Sequence, residues 1–249
     1  MNENLSVVIL AAGKGKRMNN PNMAKVMAPL GDKPLITYVL EQVQKLNPKK
    51  IIVVVGHQKE SVIEYIKFIN IQNLFFAEQN DQLGTGHAVA QAAEYLMNDN
   101  GNVLILAGDV PLLKSESLTA FIEMHTKTSS VASDMTAIAA NPFGYGRIVR
   151  DSSGNFIKIV EEKDTKPEEK LINEINSGIF IVKSKSLFNA LNLVSNKNAQ
   201  GEYYLTDIIE ILRNENKKVS AFICAEFDEL QGVNSVEDLK RCEDFLNRN

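Results

Sequence analysis

Apolar positions recur along the chain in two alternating rhythms. Residues 5–10 (LSVVIL), 51–55 (IIVVV) and 103–107 (VLILA) are continuous apolar, β-branched runs. That is the pattern of strands buried on both faces of a parallel sheet. Residues 74–77 read as a shorter strand. Between these runs the apolar residues return at helical spacing, at 35, 36, 39, 40, 43 and 46 within 34–46 and at 62, 63, 66 and 69 within 59–69. An alanine-rich helix over 85–97 and a helix over 115–125, with Ser115 as its N-cap, complete the series. Four strand–helix units in succession predict a doubly wound α/β sheet with right-handed crossovers.

Beyond residue 128 the rhythm changes. Residues 135–140, 146–150 and 156–161 read as strands with tight turns, and Ser152-Ser153-Gly154-Asn155 signals a hairpin. A strand over 175–182, helices over 186–194 and 205–214, a strand over 218–225 and a closing helix over 235–246 follow. The expected fold is therefore α/β and Rossmann-like: a mainly parallel sheet with helices on both faces, plus an antiparallel lobe. No linker, low-complexity tract or internal repeat divides residues 1–249, which read as one domain. No six-residue apolar–Gly repeat occurs, so no left-handed β-helix is expected in them.

Composition narrows the function without naming it. With 27 basic and 31 acidic residues the net charge is −4, so there is no basic excess to release counterions from nucleic acid. One phosphorylated metabolite needs only a few local cations and stays open. Cys224 and Cys242 have no C-x-x-C spacing and fit a reduced compartment. The N-terminal MNENLSVVILAAG lacks a basic leader segment, and its apolar run is too short for a signal peptide or a membrane span. The chain reads as cytoplasmic, with no membrane partner.

Four constellations carry chemistry. LAAGKGKRM (10–18) leaves the first strand at the edge where open α/β sheets bind ligands. Its glycines let backbone N–H groups approach phosphate oxygens, Arg17 forms a planar fork, and Lys25 adds a cation. The P-loop pattern is absent, and Met18 stands where a dinucleotide fingerprint needs a third glycine. The alternative is a solvated basic turn. LGTGHA (83–88) opens a helix, where free N–H groups favour an anion or a carbonyl oxygen, and Gln79 precedes it. A glutamine amide suits a pyrimidine edge but, because it can flip, does not separate uracil from cytosine. The alternative here is an ordinary capped helix start, with His87 part of it. Asp109 in GDVP (108–111) ends the fourth strand, where a buried carboxylate needs a partner; a hard cation bridging to phosphates would serve. The alternative is a turn or cap residue. Finally, Gly144-Tyr145-Gly146-Arg147, Glu161, Asn176-Ser177-Gly178 and Gly232-Val233-Asn234 are polar or glycine positions beside strands, suited together to a polyol site. His57 and His125 have no second His or Cys at ligand spacing and read as structural.

LAAGKGKRM, KVM, QLGTGHA, GDVPL, GYGRI, VEEKD, INSGI, NAQGEYYLTDI and GVN occur in that order over residues 10–234, within a match that runs from about residue 5 to residue 234. This series resembles the uridyltransferase half of the bacterial bifunctional N-acetylglucosamine-1-phosphate uridyltransferase / glucosamine-1-phosphate acetyltransferase family, within the sugar-phosphate nucleotidyltransferases. The resemblance implies a nucleotide-binding half (1–128) and a sugar-binding half (129–249), without the acetyltransferase β-helix. It implies that Leu10, Ala11, Ala12, Gly13, Gly15 and Gln79 hold the nucleotide, that Gly84 and Thr85 border nucleotide and sugar, and that Arg17 and Lys25 neutralise the triphosphate. It further implies that Asp109 and Asn234 hold Mg²⁺ and that Gly146, Glu161 and Asn176 contact the amino sugar. The implied reaction joins UTP and N-acetylglucosamine-1-phosphate into UDP-N-acetylglucosamine and pyrophosphate. Ala24 replaces the usual proline before the Lys25 segment, and Ala107 a larger residue near the sugar. Glucose-1-phosphate with UTP or dTTP, or a non-catalytic nucleotide-sugar-binding regulator, therefore remain as alternatives. The oligomeric state is open.

Overall fold

The computed structural model describes residues 2–15, 22–223 and 227–248. The first half runs β1 (Asn2–Ala11), β2 (Pro29–Leu30), β3 (Lys33–Pro34), α1 (Leu35–Lys45), β4 (Pro48–Val55), α2 (Lys59–Phe68), β5 (Leu74–Glu78), α3 (Thr85–Ala90), α4 (Ala93–Leu96), β6 (Asn102–Ala107) and α5 (Ser115–Thr128). The second runs β7 (Ala132–Ile138), β8 (Arg147–Arg150), β9 (Phe156–Val160), β10 (Glu174–Lys183), α6 (Ser184–Leu191), α7 (Asp207–Asn214), β11 (Val219–Ile223) and α8 (Val236–Leu246). Among the described residues, no helix is long and apolar enough to cross a membrane.

The main sheet follows the path β11-β7-β10-β6-β1-β4-β5. β1 is flanked in parallel by β4 and β6, β5 continues parallel to β4, and β11 runs parallel to β7. β10 is antiparallel to both β6 and β7, so along this path it alone reverses direction. The β8–β9 hairpin hangs from β10. The mainly parallel sheet and the antiparallel addition are as the sequence pattern anticipates. Both halves share the one sheet.

Successive side chains of a strand point to opposite faces, and here each face has its own core. Val7 and Ile9 of β1 join Val39 of α1, Val62 of α2 and Leu118 of α5 on one side. On the other, Val8 joins Val89 of α3, Leu187 of α6 and Ile208 of α7. Helices thus cover both faces, which is why the central strands carry continuous apolar runs such as residues 7–10 and 103–107. The strands also finish together: Ala11 is in register with Val55, Leu10 with Ala107, and Val55 with Glu78. The segments that follow these strands therefore leave from one edge.

Three local expectations need correction. The helix over 85–97 is broken into α3 and α4. Gln91 Nε2 donates to the His87 carbonyl at 2.9 Å, the acceptor its own backbone N–H would use in a regular helix, and that N–H bonds Ala88 O instead. Ser115 is not the N-cap of α5; Lys114 is, and Ser115 Oγ donates to Glu116 at 3.1 Å. The small β2–β3 pair is absent from the apolar pattern because it is two residues deep on each side. The strand expected over 218–225 is described as far as Ile223. His125 is structural as expected: it is buried, its Nδ1 lies 2.8 Å from Ser133 Oγ, and burial pushes its pKa down to about 4.

Candidate active site

At the strand-end edge a cleft of about 280 Å³ is lined by Leu10, Ala11, Ala12, Gly13, Lys25, Gln79, Gly84, Thr85 and Asp109 among others. Nine positions nominated from the sequence thus share one cavity. The loop after β1 is pinned by His57 N donating to Ala12 O at 3.3 Å. Gly15 adopts φ +57, and a Cβ there would stand 2.8 Å from the Cβ of Lys25, so the loop's two cation-bearing ends touch at a point only glycine fits. Arg17 lies outside the described residues.

Gln79 is buried directly after β5, and its side-chain NH₂ group lies 3.1 Å from Gly84 O and 3.0 Å from His87 Nδ1. Gly84 has φ +115, and a Cβ there would meet Tyr203 O at 2.6 Å. The cause is a strand-like pairing between distant segments. Tyr203 N donates to Leu83 O and Gly86 N to Tyr203 O, both at 2.8 Å, and Leu205 N donates to Thr85 Oγ1 at 3.0 Å. The Thr85 hydroxyl therefore accepts from the chain's second half, and α3 begins without a side-chain cap.

Asp109 leaves β6 with only 6% of its surface exposed. Its carboxylate pairs with the Lys25 ammonium, which also donates to Asn234 Oδ1 at 3.2 Å. The closing segment reaches this point because Val233 N donates to Asp109 O at 2.9 Å. Asn234 is then fixed twice. Its Nδ2 donates to Gly232 O at 3.2 Å, which turns Oδ1 toward the cation, and its backbone N–H joins that of Ser235 on Asp238 Oδ2 in the capping box of α8. One carboxylate and one amide oxygen thus converge on a single positive charge. Among the described residues no three His, Cys, Asp or Glu side chains gather as a metal group. A cation held here needs further oxygens from a ligand, the habit of Mg²⁺ on phosphates.

The sugar-side candidates meet at the foot of the β8–β9 hairpin. Asn176 N donates to Gly146 O at 2.9 Å, and a Cβ on Gly146 would touch Asn176 Cβ at 3.5 Å. Arg147 is in register with Val160, which sets Gly146 and Glu161 at the same end of the hairpin. Asn176 Oδ1 accepts from Gly178 N at 2.8 Å. Glu161 accepts from Thr206 Oγ1 at 2.9 Å, and burial pushes its carboxyl above the usual range against the pull of that hydroxyl. Asp207, next along the chain, is raised to about 6 by burial and then by the charge of Glu161.

A model of the nucleotidyl transferase family matches residues 6–228. The chain belongs to the nucleotidyl transferase family. This nucleotidyl transferase is 42% identical over 245 residues to the Bifunctional protein GlmU of Clostridioides difficile (strain 630), an overlap of 98% of this chain and 52% of that one. It is 46% identical over 239 residues to the Bifunctional protein GlmU of Geobacillus sp. (strain WCH70), covering 96% and 51%. The chain spans about half the length of these relatives. In fold it is similar to a UDP-glucose pyrophosphorylase solved with UDP-glucose, with TM-score 0.80, 18% identity and 98% of each chain covered. A putative glucose-1-phosphate thymidylyltransferase from Bacillus anthracis, solved with sucrose, superposes with TM-score 0.75 and 17% identity over 97% of this chain and 94% of that one. Both share this α/β fold, which the strand–helix rhythm anticipates, and both carry nucleotidyltransferase names, in line with the motif resemblance.

Some cleft residues of this nucleotidyl transferase escape a reading of the sequence. Glu202, Gln82, Val26 and Ala88 line the cavity, and Thr206 anchors Glu161. Glu202 and Thr206 lie in NAQGEYYLTDI, a stretch whose pairing with residues 83–86, more than a hundred positions away, has no signature in either segment.

Proposed function

We propose that this protein is a sugar-1-phosphate uridylyltransferase that makes UDP-N-acetylglucosamine and pyrophosphate from UTP and N-acetylglucosamine-1-phosphate. The observation that carries the reading is the Lys25 ammonium held between Asp109 and Asn234, in a cleft also lined by residues 10–13 and Gln79. Such a cleft offers charge compensation for a polyphosphate beside a buried amide for a base. The Gln79 NH₂ group is committed to Gly84 O, so the amide leaves its carbonyl oxygen for a ligand. An acceptor there suits the N3–H of uracil; cytosine presents an acceptor at N3.

In the reaction an oxygen of the sugar phosphate attacks the α-phosphorus of UTP in line. The new P–O bond forms as the bond from the α-phosphorus to the bridging oxygen of the β-phosphate breaks, and pyrophosphate leaves with that electron pair. The attacking oxygen is already anionic, so no protein base is needed, and the protein's work is positioning and charge compensation. Lys25 supplies a cation at the phosphates, and Arg17 is assigned the leaving pyrophosphate. Asp109 and Asn234 would hold Mg²⁺, which when bound neutralises phosphate charge. Binding at their oxygens requires Lys25 to release them and turn to the phosphates. Residues 1–128 hold the nucleotide in this reading, and Gly146, Glu161 and Asn176 of 129–249 read the hydroxyls and acetamide of the sugar.

The test is pyrophosphate release over a matrix of nucleoside triphosphates and sugar-1-phosphates. The highest kcat/KM is expected for UTP with N-acetylglucosamine-1-phosphate. A clear preference for glucose-1-phosphate or dTTP replaces the substrate assignment, and no turnover with any pair returns the chain to a binding role.

A further inference from the structure

Resting on the uridine reading of the cleft, we propose that His87 is a positioning residue that locks the Gln79 amide with its oxygen toward the base, and thereby sets the preference for uracil over cytosine.

Gln79 is 3% exposed, and its backbone is tied to β4 by Gln79 N donating to Val55 O at 2.8 Å. Its Nε2 stands 3.1 Å from Gly84 O and 3.0 Å from His87 Nδ1. A carbonyl oxygen only accepts, so the Gly84 contact identifies the amide's NH₂ end. The second hydrogen of that NH₂ group faces His87 Nδ1, which must then accept, and the ring carries its proton on Nε2. His87 Nε2 also lies 3.2 Å from Gln91 Nε2, a second donor that a neutral ring cannot satisfy at the same time. Gln91 is the one that yields. It is half-buried, already donates to His87 O at 2.9 Å, and can turn to water, whereas Gln79 is sealed in.

Two acceptors, one from the backbone and one from a ring, thus hold the amide in one of its two rotations. In the other rotation its oxygen would face Gly84 O and His87 Nδ1, acceptor against acceptor. Without His87 only the Gly84 contact opposes that flip. A site that presents a fixed acceptor rejects a base lacking the matching N–H because a buried group is left unpaired.

The readout is the ratio of kcat/KM for UTP over CTP with N-acetylglucosamine-1-phosphate. Damage to folding lowers both values together and cancels in the ratio. His87→Ala is expected to lower the ratio tenfold or more. His87→Asn, whose Oδ1 can take the place of Nδ1 as an acceptor, is expected to return it to within about threefold of wild type, in line with the inventory of side-chain acceptors. A second arm needs no substrate: the long-range ¹H–¹⁵N spectrum of the free protein is expected to show His87 with an unprotonated Nδ1 at neutral pH. An unchanged ratio in His87→Ala, failure of His87→Asn to restore it, or a proton on Nδ1 overturns the His87 role. A wild type without preference for UTP over CTP overturns the uridine reading and this proposal with it, and that is seen before any variant is made.

Discussion

Asp134 sits in the middle of β7 with no surface exposed, and neither carboxyl oxygen has a hydrogen-bond partner. Its neighbours explain why. Across the sheet it is in register with Phe180 and Ala221, which offer no side-chain donor. Thr136, two positions on along the same strand, commits its Oγ1 to Glu174 at 2.9 Å, and Arg150 clamps the same Glu174 through two contacts of 2.7 Å. Burial, reinforced by the charges of Glu174 and Glu161, holds the Asp134 pKa well above the usual carboxylate range. We predict that Asp134→Val stabilises the protein. Valine is close in size to aspartate, and its branching suits a strand. Removing an unsatisfied buried carboxyl should gain about 1–3 kcal/mol even where the group is neutral in both states. The gain grows with pH. An unfolded chain ionises this residue above about pH 4, whereas the folded chain keeps it protonated until its raised pKa is reached. Wild type therefore loses stability as pH climbs from about 4 through the folded pKa, by about 1.4 kcal/mol for each unit of separation, and the variant does not. Thermal unfolding at pH 4.5 and pH 8 gives the comparison. A gain of 1–3 kcal/mol corresponds to roughly 2–12 °C in a protein of this size. An unchanged or lower Tm for the variant, or a gain no larger at pH 8 than at pH 4.5, refutes the reasoning.

Asp109→Ala is expected to abolish pyrophosphate release while circular dichroism stays native, and Asn234→Ala to weaken it less, since water can replace a neutral oxygen ligand; EDTA should stop the wild type and excess Mg²⁺ restore it. Folded Asp109→Ala with near-normal, Mg²⁺-dependent turnover would sink this assignment. If Arg17 meets the leaving pyrophosphate as proposed, Arg17→Ala should lower kcat by roughly a hundredfold or more, about 3–4 kcal/mol of barrier; a raised KM at constant kcat would instead mean that it only binds. Gly84→Ala should destabilise the fold by about 1–3 kcal/mol, because φ +115 is costly for alanine and its Cβ would press on Tyr203 O. Equal urea midpoints for variant and wild type would contradict that.

The sheet was legible because its signal is local. A run such as IIVVV, buried on both faces, declares itself within five residues, and β4 stands where that run is. One side of the cleft was legible for a related reason: residues 10–13 close or follow β1, Gln79 follows β5 and Asp109 follows β6, and these strands end in register. What stayed hidden depends on pairings between distant segments. That Lys25 bridges Asp109 and Asn234, and that Tyr203 packs on Gly84, follow from chain reversals with no local spacing rule. The break between α3 and α4 was hidden because a single side-chain amide capturing a carbonyl leaves the apolar pattern unchanged. Asp134 was hidden because it lies just before the strand read over 135–140, in a polar stretch with Ser133 and Thr136 that carries no local sign of burial.

The Lys25–Asn234 contact joins residues 209 positions apart. Such a contact closes late, because the chain between its ends must be ordered before the contact returns any free energy. During synthesis the first strands can pair and bury Asp109 long before Asn234 leaves the ribosome. A nascent chain with residues 2–128 in place would thus hold this Lys25–Asp109 pair open on one side. Asn234, held beside the capping box of Ser235 and Asp238, supplies the missing oxygen. The full Lys25–Asp109–Asn234 cluster should accordingly form only when the start of α8 docks.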